Sequence, residues 1–278
     1  MKRDVVLLLN DFNNVDLRVN SLLIAVKGLS CRSYCEFSIE DILNIKQKTN
    51  KNIYLLCDAV FMESQKKEVE NLVLQLFPLA DKIFFSDFII FEMAKKTGCL
   101  DKLCYYSPTL ALNKYDIETY YNLGIHNIMI SKECEYNGYL DILELSNKIH
   151  LGMLSFGYPQ IYYSKRKMIT FYNEQYNLNL DPNSKNYSIV EKTRNVHLPI
   201  VEDYQGTFIF AGEIFFPQGY LNEFCSLGME MFLIDTYFIN DVVKAVNEVN
   251  EALENKFENQ KDNYSTFMMF RELVKKYE

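Results

Sequence analysis

Short apolar runs recur along the chain at 5–9, 22–26, 53–56, 82–85, 103–106, 125–130, 149–154 and 229–234. Continuous apolar runs of this length, without polar alternation, are the pattern of strands buried on both faces. Between most of them lie stretches of helical length with one apolar face. Ser38 followed by Asp41 is a capping signal that opens a helix carrying Ile39, Ile42, Leu43 and Ile45. Residues 64–77 place Val69, Leu72, Val73 and Leu76 on one side, and further helices are predicted at 88–96, 116–123, 140–148, 240–255 and 264–276. Buried strands alternating with helices predict an α/β protein with a parallel sheet. Eight such strands favour a closed (β/α)8 barrel of the TIM type over an open doubly wound sheet.

Two links depart from that plan. The link between the first two strands is too short for a full helix, so the first helix is expected to be missing or reduced to a turn around 15–19. The link from 157 to 228 is far too long for a simple crossover. It holds a polar segment at 173–195 and then Gly-Thr-Phe-Ile-Phe-Ala-Gly-Glu at 206–213, which predicts an extra strand. The whole chain, 1–278, is therefore read as one barrel domain, with 157–205 an excursion over the barrel mouth.

Composition narrows the function. A chain of 278 residues that is 49% hydrophobic buries a large core. A net charge of −8 and a pI near 5.1 argue against non-specific coating of nucleic acid, while leaving room for a local basic patch. The seven cysteines are odd in number, thinly spread and often inside apolar runs, which predicts reduced thiols in a cytoplasm. Asp4 interrupts the apolar N-terminus before it reaches signal-peptide length, and no run is long enough to span a membrane, so a soluble, cytoplasmic protein is expected.

Residues just past the C-terminal ends of parallel strands are the ones that meet ligands. Asp58, Asp87, Glu133, Glu213 and Asp235 all fall at such positions, where crowded carboxylates can act as general acid and base. A helix cap explains Asp87 equally well. Lys27, Arg32, Lys132 and Lys167 add cations, giving a mixed-charge pocket suited to an anionic small molecule or a nucleotide phosphate. The run at 149–156 stops at Gly157 and Pro159 and gives way to a polar, basic turn containing Ser164, Lys165, Arg166 and Lys167. His126, His150 and His197 form no metal-binding spacing, and His126 and His150 sit at strand starts, the structural end of a barrel. Ser107, Ser131 and Ser164 are nucleophiles only with a base in reach, and no triad is recognisable. Tyr158, Tyr162, Tyr163, Phe171, Tyr172 and Tyr176 interleave with the basic residues at 165–167. Such interleaving stacks RNA bases while cations hold phosphates, or it packs a loop onto the barrel.

Several motifs occur in a telling order. Val26-Lys27-Gly28 is followed by Arg32 and Phe37-Ser38-Ile39-Glu40; Ser86-Asp87 follows the fourth run, Ser107 and Asn113 the fifth, Ser131-Lys132-Glu133 the sixth, and Gly157, Pro159 and Ser164 the seventh. This series, with 206–214 further on, resembles peptidase family U32, the collagenase-like proteases. The resemblance implies a TIM-type barrel and, after the seventh strand, a G-x-x-C-x-x-x-S-G-x-C pattern. Gln160 and Lys167 stand at its two cysteine positions, Phe156 at a histidine position, Glu213 for an aspartate, and Leu233-Ile234-Asp235 for Lys-Ile-Glu. Relatives that hydroxylate RNA bases or a quinone precursor use an iron-sulfur cluster, which needs about four converging thiolates. This chain is expected to have lost that cluster and to carry no cofactor. Cys31 and Cys35 would need Cys57 or Cys104 to join them from neighbouring strand ends. The resemblance implies a peptidase-like enzyme, and the strand-end positions make Asp58, Glu133, Ser164 and Glu213 its expected catalytic residues. Lys27, Arg32, Asp87, Ser107, Asn113, Lys132, Gln160, Lys167 and Asp235 then line the substrate site. The alternatives are a non-catalytic partner of a second U32 protein, or an RNA- or small-anion-binding relative of the hydroxylation proteins.

Overall fold

The structure is a computed structural model that describes residues 3–32, 35–107, 110–191, 196–256, 264–266 and 269–270. In chain order its elements are β1 (Asp4–Leu8), β2 (Ser21–Val26), β3 (Glu36–Phe37), α1 (Ile39–Lys48), β4 (Asn52–Cys57), α2 (Lys66–Leu76), β5 (Lys82–Phe85) and α3 (Phe88–Thr97). These are followed by β6 (Leu103–Tyr105), α4 (Lys114–Asn122), β7 (Asn127–Met129), α5 (Tyr136–Leu143), β8 (His150–Phe156), β9 (Gln160–Ser164) and α6 (Met168–Tyr176). The chain continues with β10 (Tyr187–Glu191), β11 (Val196–Asp203), β12 (Gly206–Phe210), α7 (Leu221–Leu227), β13 (Met231–Ile234) and α8 (Val242–Leu253). They fall into two compact units, Met1–Gly157 with Phe215–Glu278, and Tyr158–Ile214.

In the first unit β1, β2, β4, β5, β6, β7, β8 and β13 pair side by side, all parallel, and β13 returns to β1 through Asp4↔Met231 and Leu7↔Ile234. The ring is closed, an eight-stranded parallel barrel with helices around it, and β3 is a two-residue addition beside β2. Every residue of β1, β2 and β13 is buried, as strands covered on both sides require. At the strand starts a polar layer is satisfied internally: Ser21 Oγ and Tyr54 OH each donate to Asp4 at 2.6 Å, and Asn52 Nδ2 donates to Ser21 Oγ at 3.0 Å. Ser38 caps α1 as its sequence predicts, accepting from Asp41 N at 3.2 Å while Asp41 Oδ2 accepts from Ser38 N at 2.9 Å. Among the described residues no helix is long and apolar enough to cross a membrane.

The first helix is reduced to a single 3-10 turn at Phe12–Asn14, earlier than the expected 15–19, because Asp11 caps it by accepting from Asn13 N. Helix α5 starts earlier than the expected 140–148 and ends at Leu143, after which 144–148 are turns. The helix expected at 264–276 lies largely outside the described residues, and Ser265 within it makes an isolated strand-like bridge to Phe215.

The second unit is an antiparallel sheet ordered β10-β11-β12-β9, with α6 between β9 and β10. The basic turn expected at 160–167 is mostly strand: β9 pairs with β12 through Tyr163↔Phe208 and Tyr162↔Ile209. The polar 173–195 segment holds the end of α6 and all of β10. Strand β12 pairs with both β11 and β9, so the extra strand predicted at 206–213 belongs to this sheet and the unit runs to Ile214.

Candidate functional site

Because the barrel strands are parallel, the residues following each one share one end. Past β2 the chain turns back on itself, Leu29 N and Ser30 N both donating to the Val26 carbonyl at 3.0 Å. The turn delivers Arg32, 3% exposed, between two carboxylates that leave their strands directly: Asp58 after β4 and Asp235 after β13. Arg32 Nη1 lies 3.5 Å from Asp58 Oδ2, and Nη2 lies 3.2 Å from Asp235 Oδ2. Asp58 also accepts from Ser30 Oγ (2.9 Å) and Cys31 N (2.8 Å), and Asp235 from Tyr237 N (3.0 Å). The Tyr237 ring lies 5.5 Å from the guanidinium carbon. Burial opposes the Arg32 charge, but Asp235 and Asp58 more than offset it, so the guanidinium stays protonated. A buried cation with two hydrogen-bonded carboxylates is fixed in place.

Lys132, past β7, is the second cation of this end. It is buried, with Nζ 3.6 Å from Glu133 Oε1. Burial pulls its pKa down to about 8; Glu133 works against that fall and the Arg32 charge adds to it. An amine with a pKa that close to neutrality exchanges its proton readily and can act as acid or base. Tyr106, just past β6, has its phenol pushed upward by burial, against the opposing pull of Arg32.

The sequence-derived candidates take several positions. Arg32, Asp58, Asp235 and Lys132 gather at one end, with the half-buried Glu133 beside Lys132. Asp87 caps α3, accepting from Ile89 N at 2.9 Å, and also holds Phe61 N at 3.0 Å. Asn113 caps α4 through Asp116 N at 3.0 Å. Lys27 is exposed and its charge acts on Asp41 at the start of α1. Ser107 is half-buried past β6. Gln160, Ser164, Lys167 and Glu213 belong to the second unit: Gln160 is buried on β9, Ser164 Oγ accepts from Arg166 N at 3.2 Å, and Lys167 and Glu213 are exposed. Ser30, Tyr106 and Tyr237 were missed. Tyr106 directly follows a strand, the same signal that pointed to Asp58.

Burial sets the state of several of the thiols. All seven cysteines are free. Burial pushes Cys35, Cys104 and Cys134 up to about 12 and raises Cys57 as well, with Asp235 adding to the shift at Cys35. Among the described residues no group of three or more His, Cys, Asp or Glu side chains is arranged to hold a metal ion. His150 pairs with Glu230 at 2.9 Å at the strand-start end, His126 lies against Tyr121, and His197 meets Ser188 at 3.2 Å in the second unit.

Solved structures similar to this chain include N-(5′-phosphoribosyl)anthranilate isomerase from Pyrococcus furiosus, 10% identical, covering 92% of this chain and 100% of that one with a TM-score of 0.47. Orotidine 5′-monophosphate decarboxylase from Methanocaldococcus jannaschii is 11% identical, covering 91% and 99% with a TM-score of 0.48. Among curated proteins, tRNA hydroxylation protein P2 of Bacillus subtilis (strain 168) is 23% identical over 252 residues, spanning 86% of this chain and 81% of that protein. The family model of peptidase family U32 matches residues 13–278, nearly the full length, and the chain belongs to that family.

Proposed function

We propose that this protein takes part in the hydroxylation of tRNA, as a subunit that works beside a cluster-bearing member of its own family, and that it does not cut peptide bonds. The observation that carries this reading is the match to tRNA hydroxylation protein P2, which runs through 86% of this chain and 81% of that protein rather than through an isolated motif. The chemistry of the barrel end agrees with it. Peptide hydrolysis by a serine or cysteine needs a nucleophile with a base in hydrogen-bond reach. The histidines of this chain lie elsewhere, and burial holds Cys35 in its protonated form. What the barrel end offers instead is a fixed cation, Arg32, and a proton-exchanging amine, Lys132. Together they suit an ordered mixed-charge site at which a proton moves to or from a bound co-substrate.

The cluster that cofactor-bearing relatives use does not fit the donor set of this chain. Gln160 and Lys167 occupy two of the thiolate positions. An iron-sulfur cluster needs about four converging thiolates, and neither an amide nor an ammonium replaces one, so the redox chemistry is assigned to the partner subunit.

Mass spectrometry of nucleosides from bulk tRNA tests the proposal directly. A strain lacking this chain is expected to lose a base carrying one added oxygen and to regain it when the chain is restored. Unchanged hydroxylation in that strain would refute the reading. Iron analysis of the chain purified alone without oxygen is expected to find none at stoichiometric level, and four irons per chain would overturn the assignment of the cluster to a partner.

A further inference from the structure

We infer that the second unit carries a stacking site for unpaired RNA bases, a cavity between helix α6 and the β10–β11 sheet. The inference rests on the tRNA reading above and gives that reading a point of contact with RNA. The cavity is about 420 Å³, within the range of small-ligand pockets, and is lined by Met168, Ile169, Tyr172, Leu180, Tyr187 and Ile200. Tyr187 and Ile200 face each other across the β10–β11 ladder and form its floor. Met168, Tyr172 and Tyr176 recur every fourth residue, so they form one stripe along α6, with the Tyr172 and Tyr176 rings 4.8 Å apart. Ile169, buried beside the stripe, anchors the helix at the base of the cavity.

This stripe is not core. Tyr172 is 52% exposed, Tyr176 61% and Met168 42%, and neighbouring Phe171 is 54% exposed. Large exposed aromatics clustered at a cavity mark a binding surface. The walls are set in advance. Buried Glu202 accepts from Ile169 N at 2.7 Å and Thr170 N at 3.2 Å, and also from Thr170 Oγ1. Thr207 Oγ1 accepts from Met168 N at 2.9 Å and donates to the Arg166 carbonyl at 2.7 Å. Asn173 holds the segment that brings Leu180 to the rim, donating to the Leu180 carbonyl at 2.8 Å and accepting from Leu180 N at 3.2 Å. Glu202 thereby occupies the N-terminus of α6, so the helix end is not the ligand site. The aromatic stripe is.

Charge identifies the occupant. Arg166 and Lys167, both exposed, stand at the start of the helix that carries the stripe, in a chain whose overall charge is −8. Glu174 and Asp181 lie on the same helix and the loop beyond it, so the cationic side is the 166–167 end. Planar π-faces open to solvent beside two cations match a nucleic-acid single strand: bases stack on the rings and phosphates meet the cations. An apolar protein segment would use the cavity without needing either feature.

The test measures fluorescence anisotropy of the full-length protein with a short fluorescein-labelled single-stranded RNA and with unmodified bulk tRNA. Tyr172→Leu keeps apolar volume and removes the π-face, whereas Tyr172→Phe keeps both, and circular dichroism checks that each variant is folded. Expected are a roughly tenfold weakening for Tyr172→Leu and no more than about a twofold change for Tyr172→Phe. Replacing Arg166 and Lys167 together by Gln is expected to flatten the slope of log affinity against log salt by roughly 1.4, the loss of two single-strand phosphate contacts. Absence of RNA binding by the wild type at moderate salt, or equal affinity of Tyr172→Leu and wild type, would overturn the site. Loss of a co-purifying protein in Tyr172→Leu with RNA affinity intact would overturn it in favour of a protein ligand. The strain used above separates the two readings. Tyr172→Leu restoring hydroxylation as fully as wild type, with unchanged RNA affinity, removes the site and leaves the tRNA function standing. Tyr172-dependent RNA binding without any hydroxylation phenotype removes the function and leaves the site standing.

Discussion

Lys132 offers the sharpest test of the electrostatics at the barrel end. Replacing it by Met keeps most of the apolar stem and removes the ammonium. In the unfolded chain the amine titrates at its ordinary value of 10.5, and in the fold at about 8. Between those two values the unfolded state holds one proton more than the folded state, so stability rises with pH across that window. Below it the folded protein bears the whole cost of a buried ammonium, about 3 kcal/mol for a depression of this size. The 3.6 Å pairing with Glu133 is already part of that balance, and the half-exposed Glu133 left behind returns to water at little cost. Lys132→Met is therefore expected to stabilise the protein at pH 7 by about 1–3 kcal/mol, an advantage that falls to under about 1 kcal/mol by pH 10. Urea unfolding of both proteins at intervals from pH 7 to 10 measures the difference, in which all other titrating groups cancel. A variant less stable than wild type at pH 7, or a difference that does not change with pH, would refute the argument. If Lys132 also exchanges a proton with a co-substrate, the same variant loses tRNA hydroxylation while gaining stability.

Two further substitutions probe the same end. Arg32→Met leaves Asp58 and Asp235 buried without their cation and is expected to destabilise by about 3–5 kcal/mol in urea titrations. Adding Asp58→Asn and Asp235→Asn should recover much of that loss, and a double-neutralised variant no better than the single one would count against the ion-pair account. Gly157→Ala places a Cβ 2.6 Å from the Asp235 carbonyl oxygen at a residue with φ of +141°, so Asp235 must move and stability should fall by about 2–4 kcal/mol. A thermal melt unchanged from wild type would show that the close approach is relieved at no cost.

Much of the fold can be read from local pattern. All eight barrel strands coincide with apolar runs, since a strand buried on both faces leaves no polar alternation to confuse the reading. The capping pair Ser38 and Asp41 fixes the start of α1 through hydrogen bonds three residues apart. The second unit was far less legible. Its strands β9, β10 and β11 mix Tyr, Ser, Glu and His with apolar residues, and β10 is an edge strand exposed along much of its length. Such strands draw their pairing from partners distant in sequence, as Tyr163 does from Phe208, so local composition reads them as loop. The site divides in the same way. That Asp58, Lys132 and Asp235 share one end follows from their position after parallel strands. That Asp87 and Asn113 serve as helix caps depended on where α3 and α4 begin.

The order of strands and helices, the closed barrel and the end at which its polar residues collect were determined by the sequence alone, because hydrophobic period and strand direction are local properties of the chain. Only the tertiary structure decided which charges meet. Arg32 and Asp235 are 203 positions apart and come within 3.2 Å because β13 closes the ring beside β1. The depressed pKa of Lys132 likewise exists only in the fold, since it arises from the water that packing removes and not from any neighbour in sequence.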